Sequence, residues 1–138
     1  MSRLLAYTLG YIASAALAGC MTPPQQLDLS LDRPTAEGRY LVTLQPPATT
    51  PAINQLHAWQ VKLETAAGEP VARARIAVDG GMPQHGHGLP TKPVVTQHLG
   101  DGRHVIEGMK FNMGGWWVVK LHIDGAKGSD VVTFNLKL

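Results

Sequence analysis

The sequence predicts an all-β protein: an immunoglobulin-like antiparallel β-sandwich of about seven strands, preceded by a signal peptide and a short tether. Apolar and polar residues alternate in short runs, such as Trp59, Val61 and Leu63, which is the period of a strand with one buried face. Glycine, proline and aspartate interrupt these runs at intervals of about 8–12 residues. From Gly38 onward no stretch has the apolar stripe of an amphipathic helix. A small β-barrel is the alternative architecture.

The predicted strands follow one another from Gly38 to the C-terminus. Pro46-Pro47 and Asp79-Gly80-Gly81 are expected to end the first and third strands, because proline and glycine interrupt strands. Gly100-Asp101-Gly102 predicts a tight turn, and residues 125–129 predict a hairpin between the last two strands. The strands are predicted at residues 40–44, 59–63, 72–78, 94–99, 103–109, 117–123 and 132–138.

The N-terminus is typical of an exported lipoprotein. Arg3 precedes an uncharged, mostly apolar stretch that fits a secretory signal and is too short to span a bilayer. The stretch ends in Leu17-Ala18-Gly19-Cys20, which resembles the bacterial lipobox: small residues admit the peptidase, and the Cys20 thiol accepts the lipid. The predicted organisation is a signal peptide at 1–19, a lipidated cysteine and flexible tether at 20–37, and a folded domain at 38–138.

This anchor predicts a location in the bacterial cell envelope. Lipid chains on Cys20 would hold the protein on the membrane. The next residue is Met21 and not aspartate, which by the usual Gram-negative sorting rule predicts the periplasmic face of the outer membrane.

Composition excludes several classes of function. Without Arg3, 11 basic side chains (12 − 1) and 10 acidic ones remain, a net charge of +1, so a nucleic-acid partner is not predicted. Cys20 is the only cysteine, so the mature domain has neither a disulfide nor a thiolate ligand. No nucleophile elbow, phosphate loop or zinc-protease motif is present, and the carboxylates are scattered, so the chain is not expected to be an enzyme.

The loop after the third predicted strand carries the residues best suited to bind a metal. His85 and His87 flank Gly86, which leaves the backbone free to aim both imidazoles at one point, and Met82 adds a thioether three residues earlier. Imidazole and thioether suit Cu(I), whereas imidazole alone also suits Cu(II) and zinc. A copper site is therefore predicted, with zinc as the alternative metal.

A second cluster lies further along the chain. The three methionines of the domain, Met82, Met109 and Met113, all fall between residues 82 and 113. Met109 and Met113 share strand parity with Phe111, so they would project from one face if the strand continued.

Two motifs resemble those of a known family. The run Met82-Pro83-Gln84-His85-Gly86-His87-Gly88 looks like the Met-Pro-x-His-x-His-Gly signature of YtkA-like domains, relatives of the FixH accessory proteins. Phe111, Met113, Gly115 and Trp117 match that family's downstream pattern, and the resemblance covers roughly residues 38–138. It implies an exported immunoglobulin-like sandwich that handles copper or assists respiratory oxidases. By position, the implied ligands are Met82, His85, His87 and Met113.

Other histidines and methionines are weaker candidates for the site. His98 and His104 flank the predicted turn at 100–102 and are expected at the surface, where pairing across the hairpin would bring them together. They and Met109 are secondary metal candidates. His122 is expected to face solvent, and His57 to be partly buried and satisfied by hydrogen bonds.

Trp116 and Trp117 are neighbours, so only one can face the core. Trp117 is predicted inside and Trp116 beside the site, where it would shield Cu(I) from water.

The predicted function is a membrane-tethered metal-binding module that delivers or buffers copper. The alternative is a non-catalytic interaction module that assists an envelope or respiratory-oxidase protein without metal. A third reading, a small-ligand binder with a cleft lined by Trp116, Met109 and Met113, lacks polar groups that would identify a ligand.

Overall fold

The computed structural model describes residues 24–138, which form nine β-strands and contain no helix. The predicted signal peptide, Cys20 and Met21 lie outside the described residues. Among the described residues, no helix is long and apolar enough for a membrane span. The strands are β1 (Asp32–Pro34), β2 (Tyr40–Gln45), β3 (His57–Thr65), β4 (Ala74–Met82), β5 (His87–Gly88), β6 (Val94–Gly100), β7 (Arg103–Met109), β8 (Trp116–Gly125) and β9 (Gly128–Lys137).

All strand pairs are antiparallel and form two halves around one core. One half has the order β1-β2-β3-β7-β6, and the other has the order β4-β8-β9, with β5 paired to β4. Without β1 and β5, this is the four-plus-three arrangement of a constant-type immunoglobulin domain. The predicted all-β antiparallel fold is confirmed, and the strand count is nine because β1 and β5 are added.

The two halves also meet along both edges, which brings the sandwich close to a barrel. On one side a single residue pair, Ala77 with Val94, joins β4 to β6. On the other side the Arg33 guanidinium donates to the Thr133 carbonyl at 2.9 Å, and the Ala36 amide donates to the Val131 carbonyl at 2.8 Å.

The fold begins before Gly38. The strand β1 lies inside the segment that was predicted as a flexible tether. Its backbone pairs with β2, in a register that runs from Asp32 opposite Thr43 to Pro34 opposite Leu41. Residues 32–34 are therefore part of the sheet.

The strand β4 is longer than the sequence predicts. Asp79-Gly80-Gly81 was expected to end it, but these residues pair with β8, through Gly81 opposite Val118. Glycine is required here and does not break the strand. A Cβ at Gly80 would clash with the Val118 carbonyl oxygen, and a Cβ at Gly81 would clash with the His87 carbonyl oxygen.

The core runs the length of the sandwich between two differently built ends. We call the loop end the end formed by residues 46–56, 83–93 and 110–115, and the turn end the end formed by residues 35–39, 66–73, 101–102 and 126–127. The largest fully buried apolar side chains are those of Trp117, Tyr40, Phe111, Phe134, Leu44, Leu63, Met82, Ile106, Met109, Leu121 and Ile123.

A buried carboxylate stabilises the turn end. Asp130 accepts hydrogen bonds from the amides of Glu37, Arg39 and Val131, at 3.1, 3.2 and 2.8 Å. Burial raises the pKa of Asp130, but the hydrogen bonds, with a contribution from the Thr35 hydroxyl, outweigh burial and lower the pKa to about 2. The carboxylate therefore stays ionised and holds the segment before β2 against β9.

Candidate metal centre

The ribbon of β4 and β5 places Met82 and His87 side by side. The two residues are directly opposed in the antiparallel register, so their side chains project from the same face. The turn between them is closed by two hydrogen bonds to the Met82 carbonyl, from the amides of His85 at 3.1 Å and Gly86 at 3.0 Å. Gly86 has a φ of 64°, a left-handed conformation that glycine adopts without strain. The pairing of β4 with β5 and the tight turn between them therefore place a thioether beside an imidazole.

The His87 ring is oriented as metal-bound imidazoles usually are. Its Nδ1 lies 3.0 Å from the Gly88 carbonyl oxygen. A carbonyl only accepts hydrogen bonds, so Nδ1 carries the proton, and neutral His87 keeps its lone pair on Nε2. Such a bond from the second ring nitrogen to a carbonyl fixes the tautomer of many metal ligands. The ring also packs edge-to-face on Trp117, with centroids 5.7 Å apart.

The separation of the two imidazoles fits a shared ion. The ring centroids of His85 and His87 lie 5.9 Å apart, and the ring planes are inclined by 22°. Two imidazoles that bind one ion through nitrogens at about 2.0 Å place their centroids roughly 5–6 Å apart. His85 is exposed and His87 is half-buried, so the pair forms an accessible rim above the core.

The two predicted thioether ligands occupy different environments. Met82 is only 1% exposed, and its Cε lies 3.0 Å from where a Cβ on Gly115 would be. Met113 is 38% exposed on the facing loop, and its carbonyl accepts a hydrogen bond from the Trp117 indole at 3.0 Å. Met82 is therefore a buried residue directly opposite His87, whereas Met113 is exposed in a loop at the same end of the sandwich.

Trp116 begins β8 at the loop end, and its indole nitrogen donates to the Asn135 side chain at 3.0 Å. It lines a cleft of about 570 Å³ together with Gln84 and Lys137. Trp117 is fully buried, which confirms the prediction for this residue.

The structure places the secondary candidates elsewhere. Met109 is buried opposite His57, across the pairing of β3 and β7. His98 and His104 pair across β6 and β7 near the turn end, with their Nδ1 atoms 2.7 Å apart. None of the three adjoins the ribbon of Met82 and His87 in the sheet register.

His104 was expected at the surface, and that prediction was wrong, because its side chain is completely buried. Its Nε2 donates to the Val71 carbonyl at 3.0 Å, so its Nδ1 accepts a hydrogen bond from the Nδ1–H of His98. Burial lowers the pKa of His104; the bond to Val71 opposes this effect, and the nearby His98 adds to it. Both ring nitrogens of His104 are thus committed to structural hydrogen bonds.

His57 is more unusual than the sequence predicts. The Trp59 indole donates to His57 Nδ1 at 2.8 Å, so the proton of neutral His57 resides on Nε2. That Nε2 is buried and has no hydrogen-bond partner within residues 24–138. Burial lowers the pKa of His57. The sequence indicates that His57 and Trp59 lie on the same face of a strand. It does not indicate that the Trp59 indole donates a hydrogen bond to His57.

An aromatic chain connects His57 with the candidate site. His57 stacks on Phe111 with centroids 5.3 Å apart, and Phe111 meets Trp117 at 5.1 Å. Since Trp117 contacts His87, the aromatic residues of the downstream motif form the floor of the site.

In residues 24–138, no group of three or more His, Cys, Asp or Glu side chains is arranged to hold a metal ion.

Comparison with known proteins identifies a family. The model of the family described as YtkA-like matches residues 35–122, which is more than half of the chain and includes the histidine loop and the downstream aromatic motif. No curated protein and no solved structure matches the chain.

Proposed function

The chain belongs to the YtkA-like family, and on that premise we propose that it is a non-catalytic, membrane-tethered copper-binding module of the bacterial envelope. His85, His87 and Met82 would hold one ion, and Met113 would complete the ligand set. Cys20 would carry the lipid anchor. The observation that carries the proposal is the placement of His87: its Nδ1 lies 3.0 Å from the Gly88 carbonyl oxygen, its ring lies 5.9 Å from that of His85, and it is directly opposite Met82 in the ribbon.

The chemistry of the donor set favours Cu(I). All four side chains are neutral ligands, and residues 46–56, 83–93 and 110–115 contain no Asp or Glu. A monovalent ion leaves less uncompensated charge in such a site than a divalent one. Thioether is a soft ligand that suits Cu(I), whereas structural zinc usually takes thiolate, imidazole or carboxylate.

The different exposures of the ligands support delivery or buffering. Met82 is buried and Trp117 supports His87 from below, so these residues would fix the inner side of the site. His85 and Met113 are exposed and would be the first ligands that a partner's donor atoms can replace. The ion would then move by stepwise ligand exchange without unfolding the sandwich.

Copper titration of the soluble domain, residues 21–138, tests the proposal. Wild type is compared with His85→Ala/His87→Ala and with His122→Ala, which removes an exposed histidine far from the site. The proposal expects one Cu(I) per chain in wild type and in His122→Ala, and a loss of at least about 100-fold in affinity in the double variant. Equal binding by wild type and the double variant would refute it. If a partner protein binds the metal-free domain and the complex persists in the presence of a chelator, the result would instead support an interaction module.

A further inference from the structure

The two ends of the sandwich differ in charge. The loop end carries Lys92 and Lys110 and no acidic residue. The turn end carries three acidic and three basic residues, which cancel (Glu37, Glu69 and Asp101 against Arg39, Arg73 and Lys127). Neither Lys92 nor Lys110 forms an ion pair with a carboxylate of residues 24–138. The loops of this end are therefore positively charged; outside them, the exposed Glu107 lies opposite Val94, and Asp28 pairs with Arg33.

The same end exposes large apolar side chains. Leu56 is 68% exposed, Ile53 41% and Met113 38%. Their loops are held together, because the Asn54 amide donates to the Phe111 carbonyl at 2.7 Å. Val94, 56% exposed, begins β6 at this end as well. Exposed apolar side chains on the same surface as lysines suit the headgroup region of a bilayer.

The N-terminal segment also leads to the loop end. Pro24, Leu27 and Leu29 line the cleft that contains Trp116. The Asn135 side chain fixes this segment by donating to the Asp28 carbonyl at 3.0 Å. Cys20 lies four residues before Pro24, and four residues of chain can span at most about 14 Å.

We propose that the loop end rests on the surface of an anionic lipid bilayer. Leu56 and Ile53 would insert at the level of the headgroups, and Lys92 and Lys110 would bind lipid phosphates. The orientation relies on attachment of the chain through residues before Pro24, as in the proposed function, but not on copper. The site of His85 and His87 then opens towards the membrane.

Depth measurements on the full chain, reconstituted in vesicles of phosphatidylethanolamine and phosphatidylglycerol, test this orientation. One fluorophore is attached at Gln55→Cys, between the apolar tips, and a matched one at Ala126→Cys in the turn end. Unsubstituted protein, carried through the same labelling, corrects for any label on Cys20. Spin-labelled lipid should quench the label at residue 55 at least about threefold more strongly than the label at residue 126, because interfacial groups lie about 5–10 Å deep.

Charge reversal separates docking from mere tethering. Lys92→Glu/Lys110→Glu should reduce quenching of the label at residue 55 towards that at residue 126, whereas Arg39→Glu/Lys127→Glu at the turn end should leave it unchanged. Equal quenching of both labels, stronger quenching at residue 126, or failure of the chain to attach to vesicles would overturn the proposal. Cu(I) titration of the same samples shows separately whether the proposed function holds.

Discussion

At the scale of single residues, the tautomer of His87 is the most informative feature of the site. The motif spacing predicted a site of Met82, His85, His87 and Met113, of which Met82 and His87 are opposed in one ribbon and the His85 ring lies 5.9 Å from that of His87. The motif spacing did not predict which ring nitrogen of His87 is free, because that depends on the hydrogen bond of the other nitrogen to the Gly88 carbonyl. The burial of His104 was equally out of reach, because it depends on Val71, which is 33 positions away in the chain.

Replacement of Met82 tests the thioether. Met82→Leu keeps the volume and apolar character of the side chain, so it should cost less than about 1.5 kcal/mol of stability. Removal of the sulfur should weaken Cu(I) binding by at least about tenfold and affect Cu(II) less. Met109→Leu is the matched control, since Met109 is equally buried but lies opposite His57. If both variants bind Cu(I) like wild type, Met82 is a core residue only.

The pair of His98 and His104 predicts a pH-dependent stability. Because burial lowers the pKa of folded His104, the unfolded chain binds more protons in mild acid. This contribution to stability is complete above the unfolded pKa, near 6.5, and is lost as the pH falls through the folded pKa. Wild type should therefore melt at a lower temperature at pH 5 than at pH 7.5.

The variant His104→Ala identifies the source of that dependence. It should destabilise the protein by about 2 kcal/mol at neutral pH, since the Val71 carbonyl and His98 lose their partner. Its melting temperature should also vary less between pH 7.5 and 5 than that of wild type. An unchanged pH slope would show that other groups, such as His57, cause the loss.

At the scale of elements, alternation predicted β2, β3, β4, β8 and β9 well because one face of each strand is more buried than the other. The sequence did not show that β4 continues through Asp79-Gly80-Gly81. The usual meaning of paired glycines is a turn, whereas here they allow β8 and β5 to approach the backbone closely. Strands β1 and β5 are too short for alternation to be recognised.

Gly81→Ala tests this close approach. The added Cβ meets the His87 carbonyl, so β5 must move away from β4. We expect Cu(I) affinity to fall by at least about tenfold, because misplaced ligands lose much of their binding energy. Gly88→Ala is the control, since its Cβ would meet only the Gly80 carbonyl oxygen at an ordinary 3.5 Å. Equal affinities of the two variants would contradict the role of Gly81.

At the scale of the whole molecule, the two ends are built differently. The turn end is stabilised by Asp130, whereas the loop end carries the candidate metal ligands, Lys92 and Lys110, and the exposed apolar tips. The sequence predicted one domain and its ligand cluster. It did not predict that the N-terminal segment runs to the ligand end, because that path depends on the contacts of Asn135 with Asp28 and Trp116.

Asp130→Asn tests the stabilisation of the turn end. The pKa of folded Asp130, about 2, is below that of an unfolded aspartate, so its contribution is present above about pH 4 and is lost as the pH falls towards 2. At neutral pH the substitution should cost about 1–3 kcal/mol, because three amides lose a charged acceptor. Chemical denaturation at neutral pH and at pH 3 should show a smaller loss at the lower pH. Copper affinity at neutral pH should stay unchanged.

X-ray absorption at the copper edge, on Cu(I)-loaded wild type and Met82→Leu, tests the central claim most directly. We expect wild type to show two nitrogen neighbours and at least one sulfur neighbour, and Met82→Leu to lose sulfur scattering while it retains both nitrogens. Coordination by nitrogen and oxygen alone in wild type, or spectra that are identical in the two proteins, would contradict a site built from His85, His87 and Met82.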